Sequence, residues 1–176
     1  MARRMSAVAA HRARTAHRHD EVDAAFAAFR LDRVEDYRDF LLAHARALPA
    51  AEAVLAATPH LPHWRPRTPL LTRDLAELGL AMPMPLGFEP TSAAAAWGVL
   101  YVVEGSRLGG AMLARQVPPD LPARYLHAAF ERGEWRTLRA AIDAEAQRKD
   151  DAWQAQALAG AEACFALFRR AAGAAA

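Results

Sequence analysis

The chain has one cysteine, Cys164, and one lysine, Lys149, among its 176 residues. A single cysteine excludes an intramolecular disulfide and a cysteine zinc cluster, and a reducing cytoplasm is the simplest setting for it. No basic or helix-start neighbour activates that thiol, so Cys164 is expected to be buried and inert. The positive charge rests on arginine, is interspersed with carboxylates and sums to only +2. That is too little for a nucleic-acid footprint, and no nucleic-acid partner is expected. Long apolar runs are missing too. The strongest, from Ala93 to Val103, ends at Glu104, far short of the roughly 20 residues that span a bilayer. MARRMSAVAAHRART begins with a basic pair but lacks the apolar core of a secretory signal. A cytoplasmic protein without a membrane partner is the expectation. Alternating β patterns are absent, and no G-x-G-x-x-G fingerprint marks a flavin or nicotinamide site.

What the chain does have is helical periodicity broken by proline. A first helix is expected from about Ser6 to Phe29 and a second from Asp32, with the Asp32 side chain as its cap. A short third is expected over Ala50 to Ala57. TPHLPHWRPR, with Pro59, Pro62 and Pro66, cannot sustain a helix. Thr68 and Pro69 then open a helix that Gly79 stops. Thr91 and Ser92 are placed to cap a long helix ending before Pro118 and Pro119. Three more helices follow, near Pro122 to Arg132, from Trp135 to about Gln147, and from about Asp150 to Arg170. The fold class is all-α, a single-domain helical bundle over residues 1–176.

Two faces stand out. His17 and His19 project about 200° apart on a helix, so only one of them can look inward. Counting by threes and fours from His19 reaches Thr15, Val22, Phe26 and Phe29, an apolar stripe, whereas His17 sides with Arg14, Asp20 and Glu21. His19 is therefore the inward candidate, with two roles open: a hydrogen-bonded core or boundary histidine, or a metal or haem ligand through its neutral imidazole. Arg12, two turns earlier on the same stripe, is either a solvated arginine or a partner for an anion held there.

The second face belongs to WGVLYVVEGSRLGGAM. Gly98, Val102, Gly105, Gly109 and Met112 follow a three-four spacing and leave one side nearly bare, although each glycine weakens a helix by roughly 1 kcal/mol relative to alanine. Close helix packing and a flat ligand against the backbone both explain such a face, and three glycines in six residues favour a bend. Within that turn Ser106 is placed to bond back to a carbonyl or to hold a water. Arg107 reads as a surface residue, and Glu104 as a partly buried carboxylate in a salt bridge. His60 and His63 flank a proline without further grouped zinc ligands.

Taken in order, RARTAHRHDEVD, DYRDFLLAHARALPAAEAVL, WRPRTPLLTRDLAELG, WGVLYVVEGSRLGGAML and RGEWRTLRAAID resemble the segments of bacterial haem oxygenases, of the biliverdin-producing type associated with bacterial phytochromes. The resemblance covers nearly the whole chain, and EGSRLGG is its most specific part. It implies a haem oxygenase-like bundle with His19 as the proximal ligand of the haem iron, preceded by Thr15 four residues earlier. Gly105 and Gly109 become the distal-helix glycines over the haem, and Arg12 and Tyr101 the groups that meet a propionate. Ser106 stands where other branches carry an aspartate that orders distal water, and Arg107 where some bacterial relatives carry an asparagine.

The activity so implied is the opening of haem, both cofactor and substrate, to biliverdin with release of carbon monoxide and ferrous iron. Dioxygen is consumed, and the electrons come from an external reductase or ferredoxin. A bacteriophytochrome is a possible recipient of the product. The alternatives are a non-catalytic haem-binding or haem-carrying protein on the same scaffold, and a helical interaction module that binds no haem.

Overall fold

A computed structural model of the chain describes residues 6–174. The basic pair Arg3 and Arg4, and the outer limits of the domain expected over 1–176, lie outside the described residues. Those residues form eight helices and no strand: α1 (Ala7–Phe26), α2 (Val34–Ala57), α3 (Thr68–Glu77), α4 (Ala93–Gly105), α5 (Arg107–Ala114), α6 (Arg124–His127), α7 (Glu134–Gln147) and α8 (Asp151–Gly173). The chain is all-α, as its periodicity predicts.

The centre is α4, whose residues are buried on every side from Ala94 to Ala96 and at Gly98, Val99, Leu100 and Val102 to Glu104. A helix apolar all round belongs inside a bundle, not at its surface. It packs chiefly on α8, which also carries α1 and α2. Leu100, Val99 and Leu167 are fully enclosed there, and each such side chain contributes about 1.5–3 kcal/mol on burial. The crossing is reciprocal: a methyl on Gly98 would collide with the Ala157 carbonyl of α8, and one on Gly160 would collide with the Ala95 carbonyl of α4. Only glycine lets the two backbones approach so closely. Gly98 therefore serves helix packing and does not belong to the bare face expected of it.

Several boundaries differ from those the sequence suggests. The expected third helix is the end of α2, which runs through Pro49. Proline has no N–H for the Ala45 carbonyl four residues earlier, and the next carbonyl along, Arg46 O, accepts a hydrogen bond from Leu86 N at 2.8 Å. Leu48, Ala51 and Leu55, all buried, hold the helix together around it. At 24 residues α2 is long enough to cross a bilayer, but half of its apolar window is buried within the bundle. Asp32 does not cap α2, because its carboxylate is held by the Arg30 guanidinium. Thr68 does not cap α3 either. The Glu52 carboxylate reaches across from α2 and accepts from Arg67 N at 2.6 Å and Thr68 N at 3.1 Å. Ser92 and Asp150 cap α4 and α8 through Ala95 N and Trp153 N. Gly79 stops α3 with φ +70°, and α6 is a single turn.

Candidate functional site

The expected bend is present. The helix that begins at Ser92 breaks at Ser106, between α4 and α5. Val103 O, at the break, accepts from Ser106 Oγ at 2.7 Å and from the Arg67 guanidinium at 2.6 Å. The same Arg67 nitrogen lies 2.6 Å from Ser106 Oγ. A hydroxyl back-bonded to its own helix bends it, and a charged donor on the freed carbonyl fixes the bend. Ser106 thus bonds back, the first of its two expected roles.

Beyond the bend, a methyl on Gly109 would meet nothing within 4 Å, whereas one on Gly105 would lie 3.5 Å from the Trp135 ring. Leu108 and Met112 on α5 are exposed. The glycine face accordingly divides into three: Gly98 against α8, Gly105 beside Trp135, and Gly109 open.

One of the sequence's readings at the bend changes, and the salt bridge expected of Glu104 is present. Arg107 is not a surface residue: it is 4% exposed and Glu104 is 1% exposed. Arg107 Nε donates to both Glu104 carboxylate oxygens at 3.0 Å. Its terminal nitrogens donate to Ala128 O at 3.0 Å and to Arg65 O. Burial raises the Glu104 carboxyl and lowers the Arg107 guanidinium, and their mutual bond opposes both shifts. No periodicity could reveal this, because the two loop carbonyls that bury Arg107 lie 42 and 21 residues away.

On α1, His11 and Thr15 are buried, and Val22 and Phe26 half-buried, so the stripe counted from His19 is the inward one. His19 itself is not buried. Its side chain is 60% exposed, and its ring stands edge-on to Phe165 of α8 at 6.0 Å. That ring of α8 covers one edge of the imidazole and leaves the rest to solvent. His17 is exposed without such a neighbour. His19 Nδ1 lies 3.1 Å from Asp23 Oδ2, one turn on. A carboxylate on Nδ1–H selects the tautomer in which Nε2 keeps its lone pair, and it orients the ring. Asp23 was legible as the residue four positions after the histidine. A haem iron takes such a carboxylate-bonded imidazole, so the residues present fit that group.

Arg12 is exposed and lies near Tyr101. Burial raises the Tyr101 phenol, while the charges of Arg12 and of Arg139 from α7 oppose that rise. Tyr101 stands 5.7 Å from the His11 ring and 6.2 Å from Trp135. The buried His11 has no hydrogen-bond partner for Nδ1, and burial lowers its pKa. His11, Arg139, Trp135 and Arg67 are site neighbours that the sequence reading did not single out; His11 could have been found four residues before Thr15 on the same stripe of α1, whereas the other three are brought there from other parts of the chain by the fold. Cys164 is buried and burial pushes its thiol up, as expected of an inert side chain. His60 takes a left-handed conformation, φ 64°, just past the end of α2, and is exposed.

The arrangement as a whole places a histidine with a free Nε2 on α1 and a glycine-rich, bent helix pair in α4 and α5, both braced by α8. The fold is shared with a solved structure: the NO- and CO-bound heme oxygenase of Neisseria meningitidis superposes with a TM-score of 0.79 over 97% of this chain and 92% of that one, at 24% identity. The chain adopts the haem oxygenase fold. In sequence it is similar to a heme oxygenase of Xanthomonas campestris pv. campestris (strain 8004), 39% identical over 111 residues. That match takes in 60% of this chain and 66% of the relative, so the chain spans just under two thirds of the length of the curated relative it matches. No protein-family model matches the chain. The similarity to bacterial haem oxygenases expected from EGSRLGG and its companion segments is thus found in both sequence and fold.

Proposed function

We propose that this chain is a haem oxygenase that opens haem to biliverdin, releasing carbon monoxide and ferrous iron. The observation that carries the reading is the His19–Asp23 pair on α1, an oriented imidazole with Nε2 free, in a chain with the haem oxygenase fold. Haem, when bound, supplies the iron at which dioxygen is reduced and is itself the molecule opened. Electrons come from a separate reductase or ferredoxin, in the cytoplasm, and a bacteriophytochrome is the proposed recipient of biliverdin.

In this reading His19 Nε2 would hold the haem iron while Asp23 orients the ring. Arg12 and Tyr101, with Arg139, receive the propionates, whose negative charge their guanidinium and hydroxyl donors suit. Gly109 presents bare backbone to the distal face, and Gly105 does so beside Trp135. Since the Ser106 hydroxyl is engaged by Val103 O and Arg67, its part is to set the bend that brings those glycines forward. A bound haem would face backbone at Gly105 and Gly109 on this side, and His19 would offer the iron a neutral nitrogen ligand in place of a thiolate.

Purified chain titrated with haemin should give a saturable histidine-ligated spectrum. Given reductant and oxygen, that complex should lose its Soret band and yield biliverdin. A Soret band that persists makes the chain a haem carrier; no saturable spectrum removes haem altogether.

A further inference from the structure

Arg107 does more than neutralise Glu104. Its guanidinium carbon sits 5.8 Å from the centroid of the Phe130 ring. Phe130 in turn stacks on Trp135 at 5.4 Å with 27° between planes. Trp135 is the side chain a methyl on Gly105 would meet, and it stands against Tyr101. Tyr101 ends the series on His11 of α1. A continuous string therefore runs from the buried ion pair at the bend, through the loop after α6, to the wall beside Gly105 and on to the first helix. The two backbone bonds from Arg107, to Ala128 O and Arg65 O, tie down the loops on either side. Arg65 adds a second tie, donating to Glu134 at 2.7 Å at the start of α7, one residue before Trp135.

We infer that Arg107, held in place by Glu104, is a positioning residue: it fixes Phe130 and through it Trp135, so that the indole bounds the haem side of the bend at Gly105. The inference rests on the haem oxygenase reading for its catalytic consequence, but its mechanical part concerns the chain alone. The geometry that matters is the planar fork. Nε and both terminal nitrogens bond in three directions at once, which an ammonium on a flexible stem cannot reproduce. Because the ion pair is buried, removing either charge alone strands the other. Arg107→Lys is therefore the informative change, and Phe130→Leu cuts the same string without touching the ion pair.

The first measurement uses the full chain without haem. In both variants the tryptophan emission should shift to the red and become more accessible to acrylamide, and this difference should vanish when Trp135→Phe is added. A difference that survives Trp135→Phe, or variants that match the parent, overturns the string. The second uses haem-loaded protein. Both variants should bind haemin within about threefold of the parent, yet give a broader distribution of biliverdin isomers. An unchanged distribution overturns the positioning role. A parent chain that binds no haem defeats only the catalytic reading, leaving the first measurement to decide the mechanical one.

Discussion

His19 and Asp23 meet across one helical turn, and the consequences of that pair are local. His19→Ala should abolish the normal axial ligation, while His17→Ala, on the exposed side of α1, should leave the haemin spectrum nearly unchanged. Reversal of the two results would place the ligand on the wrong face. Asp23→Asn keeps the hydrogen-bonding shape but removes the carboxylate charge that faces Nδ1, so haemin affinity should fall by about tenfold or more in a titration. The stripe that selects His19 over His17 was legible from spacing alone; Asp23 was not singled out, although its place four residues after His19 carries the signal. The exposure of His19 was not legible, since it depends on how far neighbouring helices reach along α1, where Phe165 of α8 meets one edge of the ring. Arg107 was misread for a related reason: its burial is made by carbonyls from two distant loops, and nothing in its own helix announces them.

At the scale of helices, the glycines of α4 and α5 separate by what surrounds them. Gly98→Ala forces a methyl into the Ala157 carbonyl, where overpacking costs about 1–3 kcal/mol or more; urea unfolding should show the loss. Gly109→Ala meets open space within a helix, so the haem-free chain should gain up to about 1 kcal/mol in the same experiment. A bulky change, Gly109→Leu, should impair biliverdin formation more than haemin binding, and unimpaired formation would remove the close-approach role of that residue. The three-four spacing identified the bare face but could not say which glycine faces a helix and which faces outward. The caps show the same division. The Ser92 cap is local and was read from the sequence, as was the start of the last helix near Asp150, whereas Glu52 caps α3 from another helix and was not. α2 passes through Pro49 with Leu48, Ala51 and Leu55 buried around it, and the neighbouring Arg46 carbonyl takes a bond from Leu86 N, 40 residues away.

For the molecule as a whole, acid is the condition to which its stability should respond. His44 lies among Phe26, Phe40, Tyr125 and Phe168, and burial lowers its pKa to about 4 from 6.5. Burial lowers His11 as well, with Asp143 of α7 acting to raise it and Arg14 to lower it further. A histidine whose folded pKa is depressed binds its proton more readily when unfolded. Stability should then be intact above about pH 6.5 and decline as the pH falls toward 4, by on the order of 3 kcal/mol from His44. His44→Gln should flatten that part of the profile in thermal unfolding followed by circular dichroism. One element governs the larger geometry. α8 lies backbone to backbone with α4 at Gly98 and Gly160, and it also carries the ring that His19 leans on. The histidine and the bent helix are thus two jaws of a caliper with a single spine. A substitution on α8 near Gly160 would reset the gap between them even though it touches neither jaw's chemistry.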